Sequence, residues 1–149
     1  MKNPILKPFV LGLLVISIAS CKKDSAAAKS KTEYLTQKAW KIESVSVSIA
    51  GASQNIPVDA CQQDDTYLFA TASTGTYDNG ATKCNDADDQ TSAFTWSFKE
   101  TETIISIIGP NVDLSGDSKI SVLNDNTLEV YQESTTSGIT SRYTGRFKH

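Results

Sequence analysis

The sequence predicts an all-β domain, an eight-stranded antiparallel up-and-down barrel, with a two-sheet β-sandwich as the competing arrangement. Three observations predict it. Short segments of alternating polarity recur from residue 34 onward. Turn-forming residues separate them, and most loops are short enough to join sequential antiparallel neighbours. Eight such segments fall in about 115 residues, enough for a sheet to close on itself and remove its edges. Periodicity serves barrel and sandwich equally.

The first element is not part of the domain. Lys2 and Lys7 are the only charges in residues 1–20, and an apolar run extends from Phe9 to Ala19, broken only by Gly12 and Ser17. This is the charged start and apolar heart of a secretory signal, too short to cross the roughly 30 Å of a bilayer core. Ile18-Ala19-Ser20-Cys21 then resembles the lipobox of bacterial lipoproteins. The resemblance implies that the Cys21 thiol receives a diacylglycerol, the signal is cut before it, and the new amino terminus is acylated with palmitate-type chains. One acyl chain holds only marginally, so two or three give a firm anchor. Removing Lys2 and Lys7 leaves 12 basic and 17 acidic residues, a balance of −5. Residues 22–32, KKDSAAAKSKT, are small and polar and read as a tether. The expected organisation is a signal peptide over 1–20, a lipidated start and tether over 21–33, and one domain over 34–149. The expected place is the cell envelope, lipid-anchored at the outer membrane, with the periplasmic and external faces both open.

Within the domain, Tyr34–Lys38 reads as one helical turn. Residues 44–49 alternate Val45, Val47 and Ile49 against three serines, while Trp40 and Ile42 have the opposite parity. A bulge near Glu43 or Ser44 reconciles the two. Residues 50–60, AGASQNIPVDA, read as a loop. A second strand covers 66–71, and a third begins near Thr76 and Tyr77. NDADDQ, 85–90, is an acidic loop. The clearest strand is 92–99, with Phe94, Trp96 and Phe98 on one face. Strands follow at 103–108, 119–123, 127–133 and 139–147. Turns are expected at Gly109-Pro110, Asn124-Asp125-Asn126 and Thr136-Ser137-Gly138.

With Cys21 lipidated, Cys61 and Cys84 remain as an even pair in an oxidising compartment, which predicts a structural disulfide. Closing that loop is worth about 3 kcal/mol in the chain-entropy model. Metal or redox use of these thiols is disfavoured, because the spacing is not Cys-x-x-Cys and the one histidine is His149.

Leu35-Thr36-Gln37-Lys38-Ala39-Trp40-Lys41-Ile42 resembles the opening of the lipocalin-like lipoproteins of outer-membrane-bearing bacteria. The run from Asp59 through Cys61 to Phe69 is similar to that family's cysteine, acidic pair and aromatic strand. Gly75-Thr76-Tyr77, Cys84, Thr95-Trp96-Ser97-Phe98 and Leu123–Leu128 continue the likeness over residues 34–148. Lys38 stands where transport lipocalins carry the glycine of Gly-x-Trp, which sets this chain apart from them. The resemblance implies a small β-barrel and leaves its function open.

Candidate chemistry is sparse. If Cys61 and Cys84 pair, Asp64, Asp65, Asp86 and Asp88 approach one another, a weak pointer to calcium, although 85–89 lacks the glycine and distal glutamate of an EF-hand. Trp40, Tyr67, Phe69, Phe94, Trp96 and Phe98 line a ligand cavity or simply fill the core. A Ser-His-Asp triad would need His149 from a fraying end of the sequence, so no enzyme and no cofactor is expected. The mild charge and pI of 5.1 argue against nucleic acid. Two functions follow. The first is a module binding a small apolar or amphipathic ligand. The second is a filled, non-enzymatic module that docks another envelope protein.

Overall fold

A computed structural model describes residues 28–110 and 114–149. Residues 1–20, expected as a signal, and Cys21 lie outside the described residues. Among the described residues no helix is long and apolar enough to cross a membrane.

Among the described residues the first element is a six-residue helix, α1 (Lys31–Thr36). Ser30 caps it in both directions: its hydroxyl accepts from the Glu33 amide at 3.2 Å, and the Glu33 carboxylate accepts from the Ser30 amide at 2.7 Å. The helix lies three residues earlier than the turn expected at Tyr34–Lys38, because this Ser-x-x-Glu box fixes its start inside the stretch read as tether. Leu35 is its buried residue.

Nine strands follow: β1 (Lys41–Ile49), β2 (Ala52–Ile56), β3 (Thr66–Phe69), β4 (Thr74–Asp78), β5 (Thr91–Lys99), β6 (Ile104–Ile108), β7 (Gly116–Leu123), β8 (Thr127–Thr136) and β9 (Ile139–Lys148). All pair antiparallel in one sheet, ordered β2-β1-β9-β8-β7-β6-β5-β4-β3. From β3 to β9 every neighbour in the sheet is a neighbour in sequence. β9 then returns to lie beside β1, with Val45 opposite Gly145 and Val47 opposite Tyr143. The register shift falls between Ile42 and Ser44, so Glu43 is the extra residue and Ile42 and Val45 share the inner face.

The ninth strand is β2, in the segment read as a loop. Its residues, ASQNI, are almost wholly exposed and show no apolar alternation, so periodicity carries no sign of it. The hairpin turn makes it: Ala50 and Gly51 both have positive φ, 49° and 86°, the geometry of a two-residue turn that matches strand twist.

The ladder is not closed. β2 and β3 are its two ends, and the sheet rolls until Trp40 and Tyr67 form one antiparallel bridge. The molecule is all-β and antiparallel as expected, and its unclosed sheet fits the stated alternative to a closed barrel, a two-sheet sandwich, although all its strands lie in one sheet. The core sits inside the roll, and α1 covers one end. There Trp40 is fully buried and its indole N–H donates to the Leu35 carbonyl at 2.8 Å. Phe69 packs edge-on against Phe94 and Trp96, with centroids 5.2 and 5.9 Å away.

Candidate ligand cavity

The aromatic packing fills only part of the interior. β3 to β6 supply Phe69, Tyr77, Phe94, Trp96, Ile105 and Ile107, all nearly inaccessible. β7 to β9 and β1 supply smaller inward residues: Ser118, Val130, Gly145 and Val45. The imbalance leaves a cavity of about 320 Å³ between β1, β3, β7, β8 and β9, at the low end of the range of about 300–1,000 Å³ for small-molecule sites. Ile42, Val45, Tyr67, Val130 and Phe147 form apolar walls, and Gln62, Ser118 and Gln132 supply polar groups.

Gly145 is central to the space. It lies on the inward face of β9 between Tyr143 and Phe147, and a Cβ there would come within 3.0 Å of the Phe147 ring. With no side chain at 145, the wall stays set back. The floor is closed by Leu128, Phe147 and Trp40, each at most 1% exposed. Farther along β1 and β9, Ile49 and Tyr143 are each 52% exposed and Ile139 56%. The roll is thus plugged at the α1 end and open at the other.

Of the six aromatics expected as lining or core, Tyr67 alone lines this cavity. Trp40, Phe69, Phe94 and Trp96 are core, and Phe98 packs against the core half-buried. The cavity lies instead along the later strands, where a glycine inside a strand and two inward polar residues mark it.

Cys61 and Cys84 form a disulfide, tying a 3-10 turn at Ala60–Gln62 to the acidic loop. The carboxylates do not converge with it. Asp65 is buried and accepts a hydrogen bond from the Tyr77 hydroxyl. Asp64 accepts from the Ala81 amide at 2.6 Å and packs on Gly80. Asp86 is exposed, and the Asp88 carboxylate accepts from the Asn85 side-chain amide at 3.4 Å. Among the described residues no three His, Cys, Asp or Glu side chains are placed to hold a metal ion. Asp64 and Asp88 make loop contacts with their carboxylates.

His149 is not at a frayed end. Its ring lies 3.8 Å from Trp40 and contacts the Ala39 carbonyl through Nδ1 at 3.0 Å and the Gln37 amide through Nε2 at 3.1 Å. It helps to seal the plugged end, a role that a lone histidine gave no means to foresee.

The ion pairs lie on the outer surface. Glu133 accepts from Arg142 at 2.7 Å and from Lys119 at 3.1 Å, and Arg142 stacks over Tyr131 at 4.1 Å. The Arg142 hydrogen bond, with that of Lys119 second, holds the Glu133 carboxyl below the usual carboxylate range.

A family of lipocalin-like domains matches residues 36–130. The chain belongs to that family. No curated protein matches it. The match runs from the end of α1 through the first part of β8. The lipocalin-like domain is completed beyond it by β9, which pairs with β1 and supplies Gly145 and Phe147 to the cavity.

Proposed function

We propose that this lipocalin-like protein is a lipid-anchored binding module of the bacterial cell envelope that holds a small apolar or amphipathic ligand. The cavity of about 320 Å³ carries the reading: it is walled mainly by apolar side chains, holds a few polar groups, and is plugged at one end only. Family membership supports it. The anchor is Cys21, in the lipobox-like Ile18-Ala19-Ser20-Cys21, and the outer membrane is the proposed site. The chain enters the domain at Ser30, beside α1 at the plugged end. The mouth would therefore face away from the lipid, toward solvent and passing ligand. The domain acts by binding, without catalysis.

Native mass spectrometry of the protein purified from its own membrane tests the ligand, with a co-purifying small molecule as the expected result. A Cys21→Ala variant tests the anchor, with loss from the membrane fraction as the expected result and retention there counting against it. A second reading, docking of an envelope protein, is favoured by the exposed Ile49, Ile139 and Tyr143 at the open rim. A co-purifying protein in place of a small molecule would select it.

A further inference from the structure

We infer that the cavity selects an uncharged amphipath, an aliphatic chain ending in a hydroxyl or amide, with that head held by Ser118 and Gln132. This rests on the reading of the cavity as a ligand site and adds the chemistry of the ligand to it.

The two residues face each other on β7 and β8. Ser118 is buried at 3% exposure, and Gln132 Nε2 donates to its hydroxyl oxygen at 3.1 Å. A primary carboxamide has a second N–H and a carbonyl oxygen, and the serine hydroxyl keeps its own proton to donate. The pair therefore presents both a donor and an acceptor with no net charge. A hydroxyl or amide head uses both at once.

The surroundings are built for such a head. Ile42, Val45, Val130 and Phe147 supply apolar wall, Gln62 is a further uncharged polar group, and among the described lining residues none is Lys, Arg, His, Asp or Glu. A carboxylate or ammonium set against the buried Ser118 hydroxyl loses hydration on that side without gaining a counter-ion, which costs far more than desolvating a dipole. Charge is close in sequence but on the other face. Lys119 and Glu133 directly follow Ser118 and Gln132, and they pair with each other at 3.1 Å on the outer surface. The period of two in a strand places the ionic pair outside and the neutral pair inside. Phe147 and Tyr67 lie at the plugged end of the cavity and Gln132 toward the open one, so the chain would enter tail first.

The test uses the full chain in phosphatidylcholine nanodiscs, with empty nanodiscs as the blank, titrated calorimetrically at neutral pH. The probes are 1-octanol, octanoate and octylammonium, equal in chain length and different in head. The inference expects 1-octanol to bind about tenfold or more tighter than either ion, from the desolvation argument. Gln132 is exposed at the mouth, so Gln132→Glu leaves the core intact. It should reverse the order, with octylammonium tightest. Equal binding of the three probes by the wild type overturns the charge selectivity and leaves the ligand site standing. Binding of none overturns the ligand site itself. An unchanged order in a folded Gln132→Glu protein overturns the placement of the head. The wild-type ranking needs no variant and decides the selectivity alone.

Discussion

Trp40 and Tyr67 exchange two backbone hydrogen bonds, each 2.9 Å, across the gap between the approach to β1 and β3. The bridge brings the two sides of an unclosed sheet together at the end that α1 covers, and Trp40 also donates to Leu35 from its indole. Replacing Trp40 by Ala removes a fully buried ring and its contact with His149. Such truncations cost about 3–5 kcal/mol. Chemical denaturation of Trp40→Ala should show that loss, whereas a midpoint within error of wild type would mean that the plugged end is not cooperative with the sheet.

The Cys61–Cys84 disulfide constrains a segment with a sequence separation of 23. A Cys61→Ser/Cys84→Ser protein should keep its strands, because neither cysteine lies in one. It should lose about 3 kcal/mol of stability, the chain-entropy value for a loop of this size. Reduction of the wild type should lower the melting midpoint similarly and leave the double variant unmoved.

Gly75 sits on β4 opposite Phe94, and a Cβ there would collide with the Phe94 ring and come 2.8 Å from the Leu68 carbonyl. Gly75→Ala should destabilise by about 1–3 kcal/mol, as overpacking does. Gly138 has φ +79° and no atom within 4 Å of a built Cβ. Gly138→Ala should therefore show backbone strain alone. Comparing the two melts separates collision from strain.

Acid should weaken the fold through surface carboxylates. Glu133, Asp117 and Glu33 all titrate below their ordinary values of 4.5, 3.8 and 4.5. The leading causes are hydrogen bonds from Arg142, Lys99 and the Ser30 backbone respectively. A lowered folded pKa contributes stability that is present above the unfolded value and lost as pH falls through the folded one. The loss should begin below about pH 4.5. These groups are solvent-screened, so the slope is shallow, and Glu133→Gln should flatten it further in pH-dependent denaturation.

The strands were legible where one face is buried. β5 alternates Ser92, Phe94 and Trp96 inward, and Thr127–Glu133 and Ile139–Phe147 alternate as read, although β8 and β9 run slightly longer. β2 was not legible, because with neither face buried its pairing depends on the turn dihedrals at Ala50 and Gly51. The cavity escaped for a related reason. Emptiness comes from what Gly145, Ser118 and Val130 fail to fill once β9 lies against β1, and that neighbour relation joins the two ends of the domain. The large aromatic residues instead close the core.

Methyl NMR of the full chain, titrated with a lipid extract of its own membrane, tests the central claim most directly. The account predicts that the methyl signals of Ile42, Val45 and Val130 move together while those of Ile105 and Ile107, in the filled part of the core, stay in place. Signals that move only at the exposed Ile49, Ile108 and Ile139 would contradict it, placing any contact on the outside and leaving the cavity empty.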